Sequence, residues 1–433
     1  MLDINFIREH VDEVRRAIQQ KGVPLQLDDL LGVDDARRKA INEVEMFRAH
    51  RNKVSDAIAR EKDAEKKKSM IEEMQGLKAK GQGLEDQLRE IMERYKTLMW
   101  LVPNIPHPKA PIGHDASSNV EVSRWGQAPV FSFPVIDHVE LGKSHNLLDL
   151  EKGAEVSGYR GYYLKNEAVL MHMGLIWLGL KKMMAKGFSL HVPPTIVKNY
   201  ALYGSGHFPA GRDEIYQLAN PGKLASGETV SEPLYLVGTA EPSLLAYYAD
   251  TVIDKEDLPI KVCGVSQCYR SEIGSYGKDT KGIYRIHEFM KVEQVVICEN
   301  SEEETLKWLH AMLDIAVEIL KELELPHRII EVCTGDMGAG KYKMYDIETW
   351  MPSRKSYGET HSNSALTDWQ SRRLNIQYKE GPKGTKKFVH TLNNTVIASP
   401  RILIAILENN QQADGSILVP KVLREYVGKD KIG

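Results

Sequence analysis

The sequence predicts an α+β protein in two parts: an N-terminal antiparallel helical coiled-coil arm, and a larger region organised around a β-hairpin. Two heptad seams run between residues 40 and 98. Pro103, Pro106, Pro108 and Pro111 follow and close the helical region, because proline cannot continue a helix. Residues 269–293, YRSEIGSYGKDTKGIYRIHEFMKVE, set a loop rich in glycine and charge between two extended runs.

A length of 433 residues suits two domains, or three. Hydrophobic residues at 42% and charged residues at 27% place the chain among ordinary soluble globular proteins. The net charge of -3 gives no global attraction to nucleic acid, so any RNA contact must come from a local basic patch. Cys263, Cys268, Cys298 and Cys333 form no Cys-x-x-Cys pair, so zinc held on that spacing has no support and reduced, buried thiols are expected. No signal peptide or apolar run long enough for a bilayer is evident, and a cytoplasmic protein without membrane contact is expected.

Residues 4 to about 21 read as a helix with Ile7, Val11, Val14 and Ile18 on one face, followed by turns to about Asp34. The first seam is Ala40, Val44, Phe47, Arg51, Val54 and Ile58. The second is Met70, Met74, Leu77, Gly81, Leu84, Leu88, Ile91, Tyr95 and Leu98. Spacings of 4 and 3 throughout both seams mean a coiled coil. The short charged break, Lys62 to Lys66, folds the second helix back on the first. Each helix should run roughly 40 to 50 Å. Arg51 and the glycines at 76, 81 and 83 should loosen the pair. Such an arm serves oligomerisation or spacing in most proteins. Arg60, Lys62, Lys66, Lys67 and Lys68 at its tip suit a phosphate backbone, although Glu61, Asp63 and Glu65 interleave with them.

In the hairpin's returning run, Arg285, His287, Phe289, Lys291 and Glu293 should share one face, and Ile286, Glu288, Met290 and Val292 the other. Arg270 and Glu272 on the outgoing run join the polar face in a suitable register. Buried charge must be paired or meet a ligand. A floor for an anionic aromatic molecule fits, with guanidinium for phosphate and ring for base. A solvated face of an edge hairpin fits the alternation equally well.

This string resembles motif 2 of class II aminoacyl-tRNA synthetases, and within that class the seryl-tRNA synthetases. Arginine, acidic residue, long loop, arginine, phenylalanine and final glutamate stand at the family's spacing. The resemblance extends over essentially the whole chain. It implies a class II antiparallel sheet flanked by helices. It makes residues 1–103 a tRNA-binding domain with its coiled-coil arm, and 104–433 a catalytic domain with motifs 1, 2 and 3. Residues 166–186, an apolar helix followed by Gly187, Phe188 and the pair Pro193 and Pro194, resemble motif 1, which implies a homodimer.

Other stretches join the site through the same resemblance. In LVGTAE, Thr239, Ala240 and Glu241 match the triplet that contacts the amino acid, although by itself the triplet reads as a helix cap. GDMGAGKY at 335–342 nearly matches a phosphate-binding P-loop, but Tyr342 stands where a serine or threonine would hold magnesium. It also matches a turn of the seryl family, and the P-loop is rejected. In YGETHSNSALTDWQSRR, Glu359 and Ser362 match residues that hold Mg²⁺ on ATP, a hard-oxygen set. Thr360 and His361 lie beside them, His361 reading first as a structural histidine. Residues 388–415 resemble motif 3. There Thr391, Asn393 and Thr395 alternate on a strand, Ser399 suits an N-cap, and Pro400 suits the first helical position. Arg401 at the helix start opposes the dipole, which makes sense if an anion sits there.

Carried over, the reaction is ATP-dependent formation of seryl-adenylate from L-serine, then transfer to the 3′ end of tRNA(Ser), recognised by its long variable arm; tRNA(Sec) is a further candidate substrate. The catalytic residues are Arg270, Arg401 and Glu293. Serine falls to Thr239, Ala240, Glu241, Arg270, Glu293, Asn393 and Thr395. ATP falls to Arg270, Ser271, Glu272, Arg285, Phe289, Glu359, Thr360, His361, Ser362 and Arg401. Two alternatives differ in class. An amino acid:carrier protein ligase would lack the long arm. A non-catalytic RNA-binding paralogue would have lost Arg270, Glu293 or Arg401, and all three are present.

Overall fold

The structure, a computed structural model, describes residues 1–433 apart from 221, 224, 231 and 274–280. Most of the expected hairpin loop therefore lies outside the described residues. Two compact units are present: residues 3–19 with 23–102, and residues 1–2 and 20–22 with 103–433.

The first unit is helical: α1 (Ile4–Glu9), α2 (Val11–Gln20), α3 (Leu27–Arg60) and α4 (Ala64–Leu101). The expected single helix over 4–21 is divided at His10, the cap of α1. The expected turns before Asp34 are helix instead, because Leu27, Leu30 and Val33 supply a buried stripe at helical spacing. Asp34 is buried and paired with Arg8 at 2.7 Å, Arg37 at 2.7 Å and Arg38 at 3.0 Å. Burial would raise its carboxyl, but hydrogen bonds from Arg37 and Arg8 outweigh that and hold its pKa below the ordinary value.

The 34 residues of α3 and 38 of α4 make a long antiparallel coiled-coil pair. Arg48 meets Glu85 at 2.9 Å, and farther from the tip the Arg37 guanidinium lies 4.5 Å over the Tyr95 ring. Gly81 is a packing requirement rather than a weak point: a Cβ there would overlap the Phe47 ring. The reversal is tight, with Asp63 capping α4 through Glu65 N at 3.0 Å and Lys66 N at 3.2 Å.

The second unit is built on an eight-stranded sheet. Its strands are β1 (Val120–Trp125), β2 (Ser189–His191), β3 (Ile260–Tyr269), β4 (Glu288–Cys298), β5 (His327–Glu331), β6 (Lys343–Met351), β7 (Ser356–Thr367) and β8 (His390–Ala398). They lie in the order β1-β5-β6-β7-β8-β4-β3-β2. Neighbours are antiparallel except β2, which pairs parallel with β3, so the sheet is mixed at one edge.

Helices α5 (Glu167–Ala185), α6 (Glu302–Glu322) and α7 (Ser399–Asn409) share its apolar core. In α7, residues Ile402 to Leu407 are all buried. By length and composition alone α5 is long and apolar enough to span a membrane, whereas the sequence reading expected no such run. It buries Met171, Leu175, Ile176 and Met183 in the core and exposes Leu170, Met173 and Trp177.

One row of amides explains how the sheet presents its site. Asn363, Asn394 and Gln294 are in register across β7, β8 and β4. Each donates to a carbonyl of α6: Leu309 at 2.8 Å, Met312 at 2.8 Å and Met312 at 3.0 Å. That face is occupied by the helix. Strand alternation turns the adjacent Ser362, Asn393 and Glu293 the opposite way, into an open cleft.

Candidate active site

The cleft encloses ≈ 880 Å³ with its open mouth included. Its first group of polar residues is Thr239, Glu241, Glu293, Asn393 and Thr395. Glu241 opens the short helix Glu241–Ala246 and is buried. Its Oε1 accepts from Gln370 Nε2 at 2.6 Å and Asn393 Nδ2 at 2.8 Å, and Gln370 is held in turn by the Thr391 hydroxyl at 2.6 Å. Thr239 is not the cap the bland reading predicts. Ala240 occupies the cap position, and the Thr239 Oγ1 is buried without a protein partner. Glu293 lies 2.6 Å from Lys291 Nζ; burial raises its carboxyl pKa and Lys291 opposes the rise.

Arg270 also lines the cleft. Its Nε donates to Gly238 O at 3.3 Å, and its guanidinium lies 5.5 Å from the Phe289 ring centroid. The second group is Glu272, Glu359, Thr360, Ser362 and Arg401. Arg401 Nη1 donates to Glu359 O at 2.9 Å and lies 3.3 Å from its carboxylate. Glu359 and Ser362, three apart, would face opposite ways on a regular strand. The register slips between Ile347 and Glu348, so Thr360 is an extra residue and Glu359 and Ser362 both reach the cleft. On β6, opposite Ser362, Asp346 Oδ1 is buried without a partner. Burial and then the nearby Glu359 push the Asp346 carboxyl well up. Among the described residues no cluster of three or more His, Cys, Asp or Glu forms a metal site unaided.

Four expected site residues do not line the cleft. Ala240 is fully buried in the core. The Ser271 hydroxyl donates to Asp213 O at 2.7 Å. Arg285 turns to Glu272 at 3.3 Å, because β4 begins only at Glu288 and the alternation fails before it. Ile286 takes the place on the cleft wall. His361 is core: its ring nitrogens meet the Thr360 Oγ1 at 2.9 Å and Val396 O at 3.1 Å, and burial lowers its pKa to about 3. Ser399 is likewise not a cap; it is the first residue of α7, and its hydroxyl meets His172.

Sequence reasoning left Gln370, Asp346, Lys341, His207 and Tyr284 without roles. Lys341, Tyr284 and His207 line the cleft, and burial lowers the His207 pKa to about 4. Lys341 belongs to the rejected P-loop string, which indeed leads into strand β6 rather than a helix. His207 and Asp346 carry no sequence signal; only the fold brings them near.

A mixed sheet with an arginine, a phenylalanine and a glutamate on its β3–β4 hairpin, and a second arginine at a helix start, defines a class II aminoacyl-tRNA synthetase core. Residues 226–410 match the model for the tRNA synthetase class II core domain (G, H, P, S and T), and residues 1–106 match the seryl-tRNA synthetase N-terminal domain. The serine–tRNA ligase of Deinococcus radiodurans is 43% identical over 99% of this chain and 98% of its own. That of Rubrobacter xylanophilus is 39% identical over 100% of this chain and 99% of its own. The crystal structure of seryl-tRNA synthetase from Pyrococcus horikoshii complexed with ATP is 36% identical, covers 100% of this chain and 99% of its own, and superposes with a TM-score of 0.87. The chain belongs to the seryl-tRNA synthetase family, a family of ATP-dependent serine–tRNA ligases.

Proposed function

We propose that this chain activates L-serine with ATP and passes the seryl group to the 3′ end of tRNA(Ser). One observation supports this most: a single cleft joins a buried, hydrogen-bonded carboxylate and an unpartnered hydroxyl to two guanidinium groups and an aromatic ring.

In this reading Glu241 takes the serine ammonium. Thr239, Glu293, Asn393 and Thr395 surround the serine hydroxyl and the main-chain atoms. Arg270 bridges the serine carboxylate and the α-phosphate, adenine lies on Phe289, and Arg401 holds the outer phosphates. The carboxylate oxygen attacks the α-phosphorus and pyrophosphate leaves with the bonding electrons. The tRNA ribose 3′-hydroxyl then attacks the acyl carbon, and AMP leaves. Positioning and charge neutralisation carry both steps.

Glu359, Ser362 and the unpartnered Asp346 oxygen form a hard-oxygen set that fits Mg²⁺. Bound there, the ion would neutralise phosphate charge.

Residues 1–103 bind the long variable arm of the tRNA, and 104–433 carry catalysis. The exposed apolar residues of α5, with Leu190 and Val192 after it, support a homodimer of this cytoplasmic protein. The test is serine-dependent ATP–pyrophosphate exchange followed by tRNA charging. Exchange with serine and none with alanine supports the reading. Deleting residues 36–98 should preserve exchange and abolish charging; unchanged charging would remove the arm from the account.

A further inference from the structure

The return of the hairpin, residues 281–284, is fixed at each step. Lys281 pairs with Asp137. Gly282 has φ 77° and passes so near the His138 ring that a Cβ would overlap it. Ile283 N lies 3.3 Å from His138 Nε2. The other ring nitrogen, Nδ1, lies 2.8 Å from Glu408 Oε1, which also accepts the His138 main-chain N–H at 3.1 Å. Glu408 Oε2 accepts from Ser353 N at 3.0 Å. Glu408 is fully buried; burial would raise its carboxyl, but the bond from His138 outweighs it.

These partners settle the tautomer. A backbone N–H only donates and a carboxylate only accepts, so Nδ1 carries the proton and Nε2 is the bare acceptor. Tyr284 follows directly. Its carbonyl accepts from Arg401 Nε at 3.3 Å, and its ring centroid lies 4.5 Å from Arg401 Cζ. Its hydroxyl donates to Glu359 O at 3.3 Å. One side chain thus touches both Arg401 and the strand carrying Glu359.

We infer that His138 is a positioning residue: through Ile283 it sets Tyr284, and through Tyr284 it sets Arg401 and Glu359 toward the nucleotide. This rests on the reading of the cleft as an ATP site. His138 lines no part of the cleft and acts only through the turn.

Two substitutions separate the ring nitrogens. In His138→Asn an amide N–H stands near the old Nδ1 and keeps Glu408, but nothing reaches Ile283. In His138→Gln the longer side chain puts an amide oxygen near the old Nε2 and restores an acceptor for Ile283. Both are measured by serine-dependent exchange on the full chain, with thermal melting alongside. The Asn variant should raise the KM for ATP about tenfold and leave that for serine unchanged, whereas the Gln variant should stay within about threefold of the parent. Gly282→Ala, which drives the ring aside, should raise the ATP KM as Asn does. An unchanged ATP KM in the Asn or Ala variant overturns the inference, and so does a Gln variant no better than Asn. A parent chain that fails to exchange overturns the ATP reading itself, and the inference with it.

Discussion

Glu293 and Glu359, one from each group of polar residues in the cleft, stand in opposite surroundings. The Glu293 side chain is 3% exposed, whereas that of Glu359 is 45% exposed. Glu241, beside Glu293, is already held by two amides from Gln370 and Asn393. A buried carboxylate with fixed partners accepts only a ligand that completes its hydrogen bonds, and one that fails leaves polar groups unpaired. An open carboxylate can wait for charge that the nucleotide and its metal bring. In the proposed reading the buried Glu241 and Glu293 discriminate, and the open Glu359 neutralises.

The largest effect should come from Arg270, which the proposed reading sets between serine and the α-phosphate. Arg270→Ala should lower exchange about a thousandfold while tRNA binding, measured by filter retention, stays intact. Exchange within tenfold of the parent would break the comparison at its centre. Next come the two carboxylates. Glu241→Gln should raise the KM for serine about a hundredfold and leave that for ATP nearly unchanged. Glu359→Gln should do the reverse on a smaller scale, moving the magnesium concentration for half-maximal exchange up about tenfold. Equal effects of both substitutions on both substrates would mean that the groups do not divide the work.

The smallest effect is on stability. His361, His207 and His390 have folded pKa values of about 3, about 4 and about 4, lowered by burial from the ordinary 6.5. Between those values the unfolded chain binds more protons than the folded one, so stability falls as pH drops from 6.5 toward 4. Urea unfolding at half-unit pH steps should show that slope, and His361→Gln should make it shallower. A slope unchanged by the substitution would contradict the buried, neutral assignment.

The arm was legible because a heptad is a local pattern that helices obey over their whole length. The start of α3 escaped, where glycine and proline nearby masked the Leu27, Leu30 and Val33 stripe. In the cleft, residues on regular strand followed their alternation: Phe289, Lys291 and Glu293 face one way, as does Asn393 with Thr395. Alternation failed at two departures from regular strand. Arg285 lies before the strand starts, and Thr360 is a bulge that carries Glu359 and Ser362 to one side. Gln370 and Asp346 were invisible for another reason. Their importance lies in contacts with residues far off in sequence, and no local spacing encodes that.

The most direct test is a crystal structure with a non-hydrolysable seryl-adenylate analogue. The account predicts serine's amino group at Glu241, the phosphate mimic at Arg270 and the adenine ring on Phe289. An analogue bound outside this cleft, or bound in it with the amino group at Arg401 and Glu359, would contradict it.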